Sequence, residues 1–398
     1  MAVLVDDQLR RRLLVDRHQL GPSARNDRTI AQAVDALALL HSTDPSTPYL
    51  SLHARTNASP HDIDRAFHDD RILFRHTTLR RTIFAMPLDV VTLAHGSYNT
   101  RLATILRRNL LGWIEASPDT SVPAERFLDE TETATVELLR SKGATTGRGL
   151  ADALPSLQVT FNPAPSAAYS KPMRITSRVL ELLAAEGRIA RGRPTGRDFT
   201  SGSWTWEAID DWLGSDGISV LDPDEALTGL VRRYLSTFAP ATVTDLSWWT
   251  GLPKGQIRAA MQRCEVREVA LIDTTEPGHV LADDELEAPP LTDDIALLPG
   301  LDSTTMGWKQ RNWYVDDRPA AGVFDRNGNA GPTIWIEGRV AGAWTQRDTG
   351  EIALHLTGDI GSIARSRVEV EAARLTEWLG DVRVKWRYPT PITKQLNS

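Results

Sequence analysis

Residues 175–209 read ITSRVLELLAAEGRIARGRPTGRDFTSGSWTWEAI. Residues 175–187 carry the apolar spacing of an amphipathic helix, and Gly187 supplies its stop. A strand, a Gly/Pro-rich turn and a second strand around Trp204 and Trp206 follow. The turn, RGRPTGR (191–197), is strongly basic. A helix leading into a hairpin with a basic tip is the closing half of a winged helix. The plainer alternative is an ordinary hairpin on an α+β domain.

Moving toward the N-terminus, GRGLADALP predicts a short helix, and PAERFLDETETATVELLRSKG predicts a longer one ending at Gly143. Residues 118–220 therefore order as helix, helix, helix, hairpin. Residues 1–117 repeat the order. DRTIAQAVDALALL (27–40) has helical spacing with Asp27 as its N-cap. HSTDPSTP (41–48) breaks it, and YLSLHART is a short helix. SPHDIDRAFHDD opens a helix with Ser59 as N-cap and Pro60 at the first helical position. RILFRHTTLRRTIFAMP gives two strands about a polar turn, and further helices follow to residue 117. Residues 221–290 order alike. DPDEALTGLVRRYLSTFAP is a helix, ATVTDLSWWTGLP and PKGQIRAAMQRC form a helix pair about Gly251, and VREVALI with GHVLADD is the hairpin.

Residues 291–398 differ. After the acidic, Pro-containing linker DDELEAPPLTDD (283–294), IALLPG, PTIWIEGRV, AGAWTQRDTG and EIALHLTG are short strands between glycine turns. One long helix and a last strand, VRVKWRYPTP, close the chain. The expected fold is α+β: three tandem winged-helix modules (1–117, 118–220, 221–290) and a small C-terminal β-barrel-like domain (291–398).

Charge is unevenly spread over the 398 residues, whose formal net charge is −7. Residues 1–200 hold 26 Lys and Arg against 22 Asp and Glu, whereas residues 201–398 hold 19 against 30. Acid-free basic tracts lie at 71–88 and 187–197 in the first half. Such tracts are either solvated surface or a phosphate-binding face. The single cysteine, Cys264, excludes a disulfide within the chain and a Cys-based zinc site. His41, His53 and His61 lack metal-ligand spacing, and neither a P-loop nor a G-x-G-x-x-G after a strand is present. No metal or organic cofactor is expected. The N-terminus lacks a signal-peptide core and no apolar run could span a bilayer. A cytoplasmic, nucleoid-associated monomer is expected.

Several segments, taken in order, resemble the AlkZ-like (YcaQ-type) winged-helix DNA glycosylases: LLHSTDPSTPYLSLHAR (39–55), LRRTIFAMP (79–87), YLSTFAPATVTDLSWWTGLP (234–253), LLPGLDSTTMGWKQRNWY (297–314), GRVAGAW (338–344) and RYPTPI (387–392). The resemblance spans nearly the whole chain. It implies hydrolysis of the N-glycosidic bond of alkylated or bulky-adducted purines in duplex DNA. It also implies a catalytic Gln-x-Gln or Gln-x-Asp after the first module's helix, and here that stretch is His41-Ser42-Thr43, followed by Asp44.

A cationic purine leaves without a general acid, so the enzyme must hold a water and stabilise a cationic sugar. On this reading His41 orients or deprotonates the water, Thr43 holds it, and Asp44 offsets the charge. Alternatively, HSTDP is a helix stop with side-chain turn bonding. Expected phosphate contacts are Arg75, Arg80, Arg81, Lys171, Arg174, Arg178, Arg188, Arg191, Arg193 and Arg197. Trp113, Trp204 and Trp206 are candidates for base stacking. A non-catalytic DNA-binding protein and a peptide-binding scaffold are the competing readings.

Overall fold

The computed structural model describes residues 3–26, 28–117, 119–120, 122–163, 171–214, 217–272, 274–292, 294–315 and 322–398. The chain opens with β1 (Val3–Val5), α1 (Asp7–Arg17) and α2 (Pro22–Arg25). The first unit then runs α3 (Ile30–Asp35), β2 (Leu40–His41), α4 (Thr47–His53), α5 (Pro60–His68), β3 (Phe74–Thr78) and β4 (Thr82–Met86). The helix expected over 27–40 is shorter. Thr29 caps it through a capping box with Gln32, and Ala38 turns left-handed at φ 60°. That turn frees Leu40 and His41 to pair with Ala85 and Phe84. The expected cap Asp27 lies outside the described residues. Ser59 caps α5 with Pro60 in its first turn, as the sequence indicates, and such a cap stabilises by about 1 kcal/mol.

Helices α6 (Leu88–Ala94) and α7 (Thr100–Glu115) connect to α8 (Ala124–Lys142). Next come β5 (Thr145–Thr146), α9 (Gly147–Ala153), the small pair β6 (Thr160–Phe161) and β7 (Met173–Arg174), α10 (Thr176–Ala185), β8 (Ile189–Pro194), β9 (Trp204–Ala208) and α11 (Ile209–Leu213). Helix α10 buries Val179, Leu180, Leu182 and Leu183 in a core shared with α7 and α8. Each such side chain contributes about 1.5–3 kcal/mol by leaving water. A third run follows: α12 (Pro223–Phe238), α13 (Val243–Thr250), α14 (Lys254–Arg263), β10 (Val266–Leu271) and β11 (Gly278–Leu281). Gly251, at φ 75°, makes the turn between α13 and α14.

The three runs share a strand order. In each, a short leading strand pairs with the second hairpin strand, giving β2-β4-β3 and β5-β9-β8. In the third, Ala241 bridges His279 of β11, and β1 adds to the far edge, parallel to β10.

The C-terminal region is an open four-stranded antiparallel sheet: β12 (Ile295–Leu298), β13 (Thr333–Ile336), β14 (Arg339–Gln346) and β15 (Ile352–Leu356). The expected barrel does not close among the described residues. Four strands are too few to curl shut, and the helix Ser362–Leu379 instead packs across one face. Alternation serves both faces. Ile295 and Leu297 join the core with that helix and the first unit, while Ala296 and Leu298 join the core with the third unit.

The last expected strand, VRVKWRYPTP, is not one. Side chains hold it where a ladder would. Gln346 accepts from the Val384 N–H (2.8 Å), and the Trp386 indole donates to Thr345 Oγ1 (3.2 Å). Pro389 and the capped helix Pro391–Leu396 then end the extended segment. The 283–294 linker is anchored, since Arg17 pairs with Asp284 at 2.7 Å and Arg12 donates to the Ala288 and Pro289 carbonyls. A buried pair joins α4 to the loop after β12. Arg55 meets both oxygens of Asp302 at 2.9 and 3.0 Å, and its remaining donors reach His18 O, Ser51 O and Thr304 Oγ1.

Candidate functional site

The turn after β2 brings Ser42 and Thr43 into the lining of a cleft of about 770 Å³. Its walls come from three places. The first hairpin supplies Arg81, α9 and α10 supply Arg148 and Arg178, and the C-terminal segment supplies Arg387. Arg174, Arg191, Trp204 and Trp206 complete the wall. Among the described residues, six guanidinium groups thus line the cleft with one carboxylate, Glu181.

That carboxylate is engaged. Arg81 donates to both its oxygens (2.7 and 3.0 Å), and Arg178 donates to Oε2 (2.9 Å). Burial pushes Glu181 up, but the Arg81 and Arg178 contacts outweigh it and hold the carboxyl below its usual range.

The 41–44 segment splits. His41 is buried, does not line the cleft, and sits edge-on to Phe84 with ring centres 5.2 Å apart. Burial, helped by the Arg80 charge, pushes its imidazole down to about 3. It is therefore neutral at physiological pH, with no titration near 6.5 to serve a base. Ser42 accepts from Arg75 Nε at 3.2 Å. Thr43 is half-buried, and its hydroxyl makes no hydrogen bond among the described residues. Its carbonyl accepts from Arg387 Nη1 at 2.8 Å. Asp44 is a turn-former. Its Oδ1 accepts from Ser46 N and Oγ (3.1 and 2.7 Å), and its Oδ2 accepts from the Arg387 N–H (3.1 Å). Both oxygens accept hydrogen bonds, and Asp44 is buried and is not among the residues that line the cleft.

The sequence-predicted arginines also divide. Arg81, Arg174, Arg178 and Arg191 line the cleft. Arg191 stacks on Trp206 at 4.7 Å, and burial pushes it down to about 10. Arg75 is buried between Phe67 (3.7 Å) and Trp204 (4.4 Å), so it orients Ser42 and Trp204 rather than meeting a phosphate. Arg80 lies over Trp248 at 4.7 Å, joining the first hairpin to α13. Arg188 bonds to Glu132 at 2.8 Å beside Arg107, away from the cleft. Arg193 pairs with Asp64 and Asp69 of the first unit. Lys171 and Arg197 are exposed outside the lining. Trp113 packs on Phe161 at 4.5 Å, whereas Trp204 and Trp206 face the cleft.

Arg148 and Arg387 were not expected. Arg148 follows the Thr146 cap at the start of α9, where its neighbours, two glycines, look like a turn. Arg387 opens RYPTPI, a segment that carries the family resemblance but no run of charge. Among the described residues no His, Cys, Asp and Glu group is arranged to hold a metal, and no helix is long and apolar enough to cross a membrane.

Fold and site together define a mixed α+β protein with an arginine-walled cleft lined also by two indoles and by the hydroxyl residues Ser42 and Thr43. The chain belongs to the AlkZ-like DNA glycosylase family, whose family model matches residues 34–378. It is similar to the Streptomyces sahachiroi DNA glycosylase AlkZ. The two are 22% identical over 96% of this chain and 98% of that one, with a TM-score of 0.71. No curated protein matches the chain.

Proposed function

We propose that this protein hydrolyses the N-glycosidic bond of alkylated or bulky-adducted purines in duplex DNA, as a monomer without a cofactor. We further propose that segments 1–117, 118–220 and 221–290 are three winged-helix modules framing the cleft, with 291–398 as a C-terminal domain. The observation that carries the reading is Thr43, whose hydroxyl makes no hydrogen bond among the described residues, in the lining of a six-arginine cleft. Guanidinium groups hold the flanking phosphates. The cationic base needs no acid to depart, and Thr43 places the water against the opposite face of the sugar. Asp44 positions Thr43 through the turn, while Arg75 sets Ser42 beside it. His41 supports the turn as a neutral ring.

The test is release of free base from duplexes carrying N7-methylguanine or a bulky N7 adduct. Thr43→Ala is expected to slow release at least about tenfold while leaving duplex affinity within about twofold. Wild-type protein that binds every such duplex and releases nothing sinks the hydrolytic reading. One observation favours a second reading, DNA binding without catalysis: Glu181, the carboxylate that lines the cleft, is paired with two arginines, and Asp44 is buried and hydrogen-bonded through both oxygens. In that case Thr43→Ala changes nothing.

A further inference from the structure

We infer that Arg387 is a positioning residue that binds a DNA phosphate in the cleft and sets the Thr43 turn at the same time. The inference rests on the hydrolytic reading for its second half only. Arg387 belongs to no helix or strand, yet its backbone is fixed. The segment before it is held by Gln346 at Val384 and by Thr345 at Trp386, and Trp386 packs edge-on to Trp344 at 5.3 Å. From that anchor the backbone N–H donates to Asp44 Oδ2, and one arm of the guanidinium donates to the Thr43 carbonyl.

The side chain is exposed and lines the cleft. It has no carboxylate partner among the described residues, unlike Arg81 and Arg178. A Cβ added to Gly202 would lie 3.7 Å from Arg387 Nη2 and 3.8 Å from Pro45 Cγ. The guanidinium therefore sits where the C-terminal segment, the Thr43–Pro45 turn and the second hairpin loop converge. A planar fork with one edge on a backbone carbonyl retains further donors for a phosphate oxygen. A phosphate bound there locks the fork in plane and holds the Thr43 carbonyl, so backbone capture and water placement become one event.

Lysine separates the two duties because one ammonium cannot span both partners. Any substitution keeps the backbone N–H to Asp44, so the turn retains its anchor, and thermal melting monitors the fold. Binding is read on a duplex with a tetrahydrofuran abasic site across a salt series, and chemistry by single-turnover release from N7-methylguanine duplex. Arg387→Met is expected to shrink the slope of log K against log salt by about 0.9 and to slow release about tenfold. Arg387→Lys is expected to restore the slope but not the rate. An unchanged slope in Arg387→Met overturns the phosphate contact. Full recovery of rate by Arg387→Lys overturns the coupling to Thr43. If wild-type protein releases no base, the hydrolytic reading and the coupling fail together, and the salt series still decides the phosphate contact.

Discussion

The His41 imidazole lies one residue before the cleft-facing pair, and its Nδ1 has no partner in the interior. Burial pushes it and His18 down to about 3, and His53 down to about 2. In the unfolded chain each returns to about 6.5. Between about pH 3 and 6.5 the unfolded state therefore binds more protons than the folded one. The stability these rings contribute is fully present above about 6.5 and is lost as pH falls, by up to about 1.4 kcal/mol per pH unit per ring. Urea midpoints at pH 7.5, 6.0 and 5.0 should fall in that order. A midpoint flat across that range would mean that the rings are charged in the fold. The same shift removes His41 from the pH profile of base release, which should show no step near 6.5 from this residue.

At the scale of elements, the first hairpin carries the least expected feature. Arg80 and Arg81 are both left-handed, at φ 53° and 59°, in a loop that normally uses glycine or asparagine. Each such residue costs of order 1 kcal/mol, and the strain sends the two side chains apart, one to Trp248 and one into the cleft. Arg81→Gly relieves that strain and loses a half-exposed ion pair worth no more than about 1 kcal/mol. Its melting temperature is expected to match or exceed wild type while duplex affinity drops several-fold. A large fall in melting temperature would make Arg81 a structural residue instead. Helices and hairpins of this kind were legible because their signals are local: Ser59-Pro60, Gly143, Gly187 and Gly251 punctuate where expected. What was not legible is non-local. No periodicity says that Arg75 stacks between Phe67 and Trp204, that Arg193 reaches Asp64, or that residues 382–388 are held by side chains in place of a strand. Nor could the 41–44 segment say by itself that Thr43 lines the cleft and His41 does not, because facing depends on how β2 pairs with β4.

Across the whole molecule, a net charge of −7 and a cleft of six guanidinium groups stand together because the acids are spent elsewhere. Among the described residues, Glu181 is the one carboxylate that lines the cleft, and it bridges Arg81 of the first unit to Arg178 of the second. It holds the two cations at one place, much as a phosphate would, and so competes with DNA for them. Removing its charge leaves the arginines without that rival, at the cost of less fixed side chains. Competition should win, because a phosphate can enter only after both Glu181 contacts break and then lies beside the displaced carboxylate, which repels it, whereas a neutral amide at that position neither pairs with the cations as strongly nor repels the phosphate. Glu181→Gln is therefore expected to bind duplex several-fold more tightly at low salt, with a slope of log K against log salt steeper by about 1–2. Fluorescence anisotropy on an undamaged duplex over a salt series reads both quantities. Weaker binding with an unchanged slope would show that Glu181 organises the arginines for DNA rather than withholding them.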